Sequence, residues 1–359
     1  MASGPINGSP ILVTSNRGAI LELLCHQDRL SRSEIAERTG ISLSTVHRLC
    51  TQLEGEGLII VTEEKRDGRG RPSQLLSFNA SSHAVIAMNI RDQGFDGIVM
   101  GLNGTVLEER SEPFPEGTCG PDQLVKALTD FAQKLHSFAD TRNIPIHGIG
   151  VSVPGIIRLD GTIEYSSQLE WTNIPLTPIL DSVFHKPLLA ENNANAFTYG
   201  EWIRGAGQGQ EPLIGCIQEQ NGVGAGAVCN GDILRGARGG AGEIGYMLAS
   251  PDALDRLHTH TGDLEELLVG AETETGQRFI DLLALAIANI SVAIDPAKVV
   301  LRLNDDSATG IVIDKIKQRL IGRIPGQLDI VKTKLGHKAE LLGVGEMISR
   351  QVRTNVFAD

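Results

Sequence analysis

Aromatic residues make up only 4% of this 359-residue chain, so aliphatic side chains must build its cores. Positive charge is also short: 32 Lys and Arg stand against 44 Asp and Glu, a formal net charge of -12. That excludes a protein that coats nucleic acid through bulk charge. It leaves room for a small DNA-binding module on an acidic body. Cysteine is sparse (Cys25, Cys50, Cys119, Cys216, Cys229) and no CxxC pair occurs, which argues against a disulfide framework and for free thiols in a reducing cytoplasm. No charged N-terminal segment leads into an apolar run, so no secretion signal is expected. The most apolar stretch, residues 279–294, contains Asp281, Asn289 and Ser291 and is too short to cross a bilayer. It reads as a buried helix, and no membrane insertion is expected. What is present is ordinary for a globular chain: 41% hydrophobic and 21% charged residues, over a length that suggests two or three domains.

Residues 16–50 read as three short helices. Ile20, Leu21, Leu23 and Leu24 lie in the first. Ser31-Arg32-Ser33-Glu34 is a capping box that opens the second, and Gly40 is its stop signal. Ser42 caps the third, where Val46, Leu49 and Leu53 form an apolar stripe. A helix, a short Gly-containing turn and a second helix form a helix-turn-helix pattern. Its outward residues Ser42, Ser44, Thr45, His47 and Arg48 suit base edges and phosphates in a major groove. Two strands follow, at 58–61 and 74–78, around a tip that reads Gly68-Arg69-Gly70-Arg71-Pro72. Such a hairpin is a wing, with Arg69 and Arg71 suited to the negative potential of a minor groove. Residues 1–80 hold nine basic and nine acidic side chains, so the whole net negative charge lies beyond them.

From residue 83 the pattern turns to strands, at 83–90, 95–101 and 105–109, with an Asn103-Gly104 turn between the last two. The same grammar returns at 213–218, 224–229 and 233–234, with Asn230-Gly231 as its turn. Two copies imply two similar α/β lobes, with a ligand site between them. Helices are expected at 121–139, 279–294 and 338–352, the last packing back on the first lobe. Further strands are expected at 146–153, 187–190 and 298–303.

Four segments together carry a family resemblance: 148–155 (GIGVSVPG), 191–195 (ENNAN), 221–226 (NGVGAG) and 239–245 (GGAGEIG). The chain resembles the ROK family of bacterial repressors and sugar kinases over nearly its whole length. The resemblance implies an α/β fold: a winged helix-turn-helix over residues 1–80, then a two-lobed actin-like ATPase (RNase H-like) domain. The first lobe would span 81–190 plus 336–359, and the second 191–335. The fused DNA module places the chain with the repressors.

Departures from the kinase pattern are as informative. Where the family's kinases carry Asp-x-Gly-Gly-Thr against ATP phosphates, this chain has Asn89, Arg91, Asp92 and Gln93. The glycines that permit close backbone approach are gone, and Asp92 would repel phosphate. The position of the kinases' catalytic base is Asn193, whose amide cannot take a proton from a sugar hydroxyl. The Gly-rich strand end near adenosine becomes Leu301-Arg302-Leu303-Asn304. Three losses together argue against phosphoryl transfer, so no catalytic residue and no cofactor are expected. Gly222, Gly224 and Gly226 read as a tight turn kept for the fold. The family's zinc segment has lost its cysteines, and its histidine is Tyr246. His258, His260 and Asp263 read as a polar loop, not a metal site.

By resemblance, Gly155, Asn192, Glu243 and Glu265 match groups that hold sugar hydroxyls, and Gln168 lies near a further contact. Asn193 and Tyr246 complete the candidate ligand set. The expected function is a cytoplasmic repressor, dimeric or larger, that binds a double-stranded operator and is released by a sugar-like effector. An active sugar kinase and a repressor governed by a protein partner remain alternatives.

Overall fold

The structure, a computed structural model, describes residues 15–27, 29–65, 73–117, 120–220, 222–257, 261–271 and 273–357. The expected wing tip, with Arg69 and Arg71, lies outside them, as do His258 and His260.

The N-terminal module runs α1 (Asn16–His26), β1 (Leu30–Ser31), α2 (Arg32–Thr39), α3 (Leu43–Gly55), β2 (Ile59–Lys65) and β3 (Ser73–Phe78). The Ser31/Glu34 capping box forms as expected, and Gly40 ends α2 in the left-handed region at φ 71°. The Ser42 hydroxyl caps α3 by accepting from the Thr45 N–H. The sheet has a third strand that the sequence reading lacked, since β1 pairs with β3 through only two residues. Arg32, at the start of α2, ties the module together by pairing with Glu54 of α3 and donating to Gln74 of β3.

The body is duplicated. Its first part runs β4 (Ala84–Arg91), β5 (Gly94–Gly101), β6 (Val106–Pro113), α4 (Pro121–Thr141), β7 (Ile146–Val153), β8 (Ile156–Ile157), β9 (Ile163–Ser166), β10 (Trp171–Ile174), α5 (Leu176–Phe184), β11 (Leu188–Asn192) and α6 (Asn193–Arg204). The second runs β12 (Leu213–Glu219), β13 (Gly222–Cys229), β14 (Asp232–Ile233), α7 (Asp263–Val269), α8 (Gln277–Ile294), β15 (Lys298–Arg302), α9 (Thr309–Leu320), β16 (Ile330–Lys332) and finally α10 (Lys338–Val356). One five-stranded sheet has the order β11-β7-β4-β5-β6 and the other β16-β15-β12-β13-β14. In each, an antiparallel meander of three strands is extended by two parallel strands. The two orders are the same once the strands of each lobe are counted from its own start.

Helices α6 and α10 pack together between the sheets, and small residues let them touch. A methyl on Gly343 would lie 1.8 Å from the Ala196 carbonyl oxygen. Ala194 to Trp202 are buried without a break, so α6 shows no amphipathic stripe. That is why the sequence reading did not find it. The apolar helix α8 lies in the core of the second lobe, burying Phe279, Ile280, Leu283, Ala286 and Ile287. Gly222, Gly224 and Gly226 prove not to form a turn. They lie on strand β13, where a methyl at Gly226 would meet Thr198 Oγ1 at 2.5 Å and the Ala194 carbonyl at 2.7 Å, so this glycine makes room for α6.

Candidate functional site

The interlobe cavity is built where β11 passes into α6. Asn192 ends the strand, and its Oδ1 caps the helix by accepting from Ala194 N (2.8 Å) and Asn195 N (3.1 Å). Its Nδ2 donates to the Gly155 carbonyl at 2.8 Å and reaches Glu243 Oε1 at 3.3 Å. One side chain thus sets the helix and joins the lobes. Gly155 has φ 121°, and a Cβ there would sit 2.4 Å from the Tyr165 carbonyl, so no other residue fits.

All seven candidate ligand residues line one cavity: Gly155, Gln168, Asn192, Asn193, Glu243, Tyr246 and Glu265. Tyr165, Ser166 and Glu219 join them. The cavity is narrow, at about 60 Å³. Gln168 Nε2 closes it from the first lobe by donating to Glu219 Oε2 at 3.1 Å. Burial, reinforced by Glu265, pushes the Glu243 carboxyl up to about 7. Burial raises Glu265 as well, although Gly262 N–H opposes the shift. Tyr246 is raised first by burial and then by these two carboxylates.

Behind Asn193 lies an ion cluster that the sequence reading did not foresee. Arg302, 1% exposed at the end of β15, donates to Glu219 Oε1 at 2.8 Å and pairs with Glu340 Oε1 at 2.5 Å. Its guanidinium carbon lies 5.2 Å from the centre of the Phe197 ring. Burial alone would depress the Arg302 pKa, but Glu340 and Glu219 outweigh it and raise it. Burial pushes Glu340 up to about 7 against the pull of Arg302, and its Oε2 has no hydrogen-bond partner among the described residues. Asn193 Nδ2 lies 3.5 Å from Glu219 Oε2. Asp92, in the two-residue β4–β5 turn, is raised by burial and by Glu219. No local pattern announces this cluster, because its members lie 38 to 121 residues apart in the chain.

Glu340 opens α10, and the far end of that helix reaches the DNA module. Arg353, 2% exposed, donates to Glu346 Oε1 at 2.7 Å and to the Leu102 carbonyl at 2.9 Å. Its Nε lies 3.5 Å from Glu22 of α1. The Phe357 ring packs on Phe78 at 5.9 Å, and Arg17 donates to the Phe357 carbonyl at 3.3 Å. On the module's outer side Ser42, Ser44, His47 and Arg48 are exposed, and Thr45 is half-buried. Asp263 is the first residue of α7, not part of the polar loop expected from the sequence, and it accepts from Arg256 at 2.6 Å and from Ala249 N at 2.9 Å.

Residues 85–271 match the ROK family model, and residues 14–60 match a model of winged helix-turn-helix DNA-binding modules. The chain belongs to the ROK family. It is 24% identical to the xylose repressor of Bacillus subtilis strain 168, over 93% of this chain and 94% of that one. A crystal structure of a ROK family transcriptional regulator, described as a homologue of the E. coli MLC protein, superimposes with a TM-score of 0.75 at 18% identity, over 96% of this chain and 97% of that chain. A ROK glucokinase from Streptomyces griseus in complex with glucose and AMPPNP matches with a TM-score of 0.59 at 18% identity, over 74% of this chain and 98% of its own. The regulator match spans module and body together, as the expected winged module and actin-like lobes require.

Proposed function

We propose that this ROK protein is a sugar-responsive transcriptional repressor whose kinase-like cleft binds its effector without phosphorylating it. It works in the cytoplasm, as a homodimer or larger homo-oligomer, on a double-stranded operator read by α3 and the wing. The full-length relative named a xylose repressor supports the regulatory part. The observation that carries the non-catalytic part is the buried Arg302 bridge between Glu219 and Glu340. It fills the strand end that, by family resemblance, lies beside adenosine, while Asn193 offers an amide where a base is needed.

The cavity of about 60 Å³ holds roughly two waters, whereas ligand pockets span about 300–1,000 Å³. An effector therefore enters only when the lobes part, and so favours the open shape. That differential affinity is what coupling requires. Parting the lobes strains the Gln168–Glu219 and Asn192–Glu243 bonds and the Glu219–Arg302–Glu340 cluster, and α10 carries the change to α1. The same narrowness favours a second reading, in which a protein partner moves the module and no small ligand is needed.

The test is selection of genomic fragments by the purified full-length protein. A symmetric enriched site, bound less well by an R69A/R71A variant and released by a sugar, is the expected result. A protein that is folded yet enriches no site, or that turns over ATP with a sugar, overturns the reading. Release by no sugar hands the cleft to the protein-partner reading.

A further inference from the structure

The polar atoms around the interlobe cavity are unevenly divided. The side-chain amide donors are taken up by the frame: Asn192 Nδ2 serves Gly155 and Glu243, while Asn193 Nδ2 and Gln168 Nε2 serve Glu219. Acceptors are left over. Gln168 Oε1 is buried with no hydrogen-bond partner among the described residues. Among the described residues Glu243 receives only the long bond from Asn192, at 3.3 Å, and Glu265 only one from Gly262 N at 3.5 Å. Among the described residues neither carboxylate forms an ion pair with a Lys or Arg, although Glu265 is only 8% exposed. The nearby cations are engaged elsewhere: Arg302 with Glu219 and Glu340, and Arg235 with Glu191 at 2.7 Å.

A buried and a half-buried carboxylate without a cation are an expensive arrangement, since buried charges are ordinarily paired or neutralised. A phosphate or carboxylate ligand has only acceptors to offer and would meet like charge. An ammonium group brings donors and the missing charge together. Resting on the sensing role proposed above, we infer that the effector is a monosaccharide that bears a free amino group and no phosphate or carboxylate. Its hydroxyls donate to Gln168 Oε1 and to the carboxylate edges, and its ammonium lies between Glu243 and Glu265. Burial and Glu265 push the Glu243 carboxyl up to about 7, so a bound ammonium displaces its proton at neutral pH. The groups facing Glu243 across the cavity are Glu265, Tyr246, Tyr165 and Asn192, none of them cationic.

The experiment is calorimetric titration of the full-length protein with matched sugar sets of gluco, galacto and manno configuration. Each set contains the hexose, the 2-amino hexose, its N-acetyl form, the 6-phosphate and the corresponding hexonate. Within the set that binds, the amino sugar is expected to bind about tenfold tighter than the parent hexose, the equivalent of one pKa unit. The N-acetyl form, which keeps bulk but loses charge, should fall back toward the hexose. The 6-phosphate and the hexonate should be weakest. E243Q and E265Q should each shrink the preference for the amine, with circular dichroism confirming that either variant is folded. An amino sugar no tighter than its hexose, or tightest binding by a phosphate or hexonate, overturns the inference and leaves sugar sensing standing. Binding by no member of any set overturns the sensing role itself, and the inference with it.

Discussion

The two ends of α10 carry the same chemistry in different states. At the C-terminal end, Arg353 has Glu346, Glu22 and the Leu102 carbonyl around it. At the N-terminal end, Arg302 faces a Glu340 whose second oxygen has no partner among the described residues and whose carboxyl burial has pushed up to about 7. Both arginines are buried to the same degree, at 1% and 2% exposure. The difference teaches that burial alone does not make an ion pair permanent. The pair under the DNA module is a fixed joint. The pair by the cleft has a carboxylate able to give up its charge near neutral pH, and so it is the end that a cleft event can loosen.

Cutting both joints sharpens the contrast most. Arg353→Met leaves Glu346 buried and uncompensated, which costs about 3–5 kcal/mol. Arg302→Met should cost less, roughly 1–2 kcal/mol, because Glu340 can take up a proton and Glu219 is partly exposed and keeps Gln168 and Asn193. Denaturant midpoints of the two variants measure the gap. At pH 5.5 the Arg302→Met loss should shrink further, as Glu340 is then protonated. Equal losses at both ends would remove the distinction.

A smaller effect appears in the pH dependence of the intact protein. Glu340 and Glu243 have folded-state pKa values raised from 4.5 to about 7, so the folded protein binds these protons more tightly than the unfolded chain. Their contribution is fully present below the unfolded value and is lost as pH rises through the folded one. Stability should therefore fall between about pH 4.5 and pH 7, by roughly 3 kcal/mol at most from Glu340. E340Q should flatten this slope. Thermal midpoints across that range check it, and an unchanged slope would place Glu340's charge in the folded state throughout.

How much of this was legible in the sequence follows the reach of each signal. The Ser31/Glu34 capping box, the Gly40 stop and the Ser42 cap are contained within a few residues, and they stand as read. The Asn103-Gly104 and Asn230-Gly231 turns marked the two meanders, because a tight hairpin needs left-handed backbone, and Gly104 and Gly231 both have φ 76°. The seven cleft residues come together because family motifs, not periodicity, singled them out. Helix α6 was hidden by being buried all round, and β1 by being two residues long. The Glu219–Arg302–Glu340 cluster was hidden for another reason. Arg302 was visible as a departure from a glycine-rich pattern, but its partners come from the second lobe's first strand and from the last helix. Nothing local to either points to the other.

The smallest expected effect tests the cleft end directly. Asn193→Asp restores the carboxylate that the family's kinases use as a base, and it should yield no sugar-dependent ATP turnover. The new carboxylate would stand where Asn193 Nδ2 now lies 3.5 Å from Glu219 Oε2, with Asp92 already raised by that same glutamate. Like charges so placed disfavour ionisation, so the new base would hold its proton. Arg302 would still occupy the strand end beside which adenosine lies in the kinases, and the turn at Asp92 and Gln93 would still lack the glycines that let backbone approach phosphate. A coupled assay of ADP release with glucose as acceptor reads the outcome. Turnover in the single variant would mean that the ion cluster yields to nucleotide, and that the cleft end of α10 is looser than Glu340's pairing with Arg302 implies.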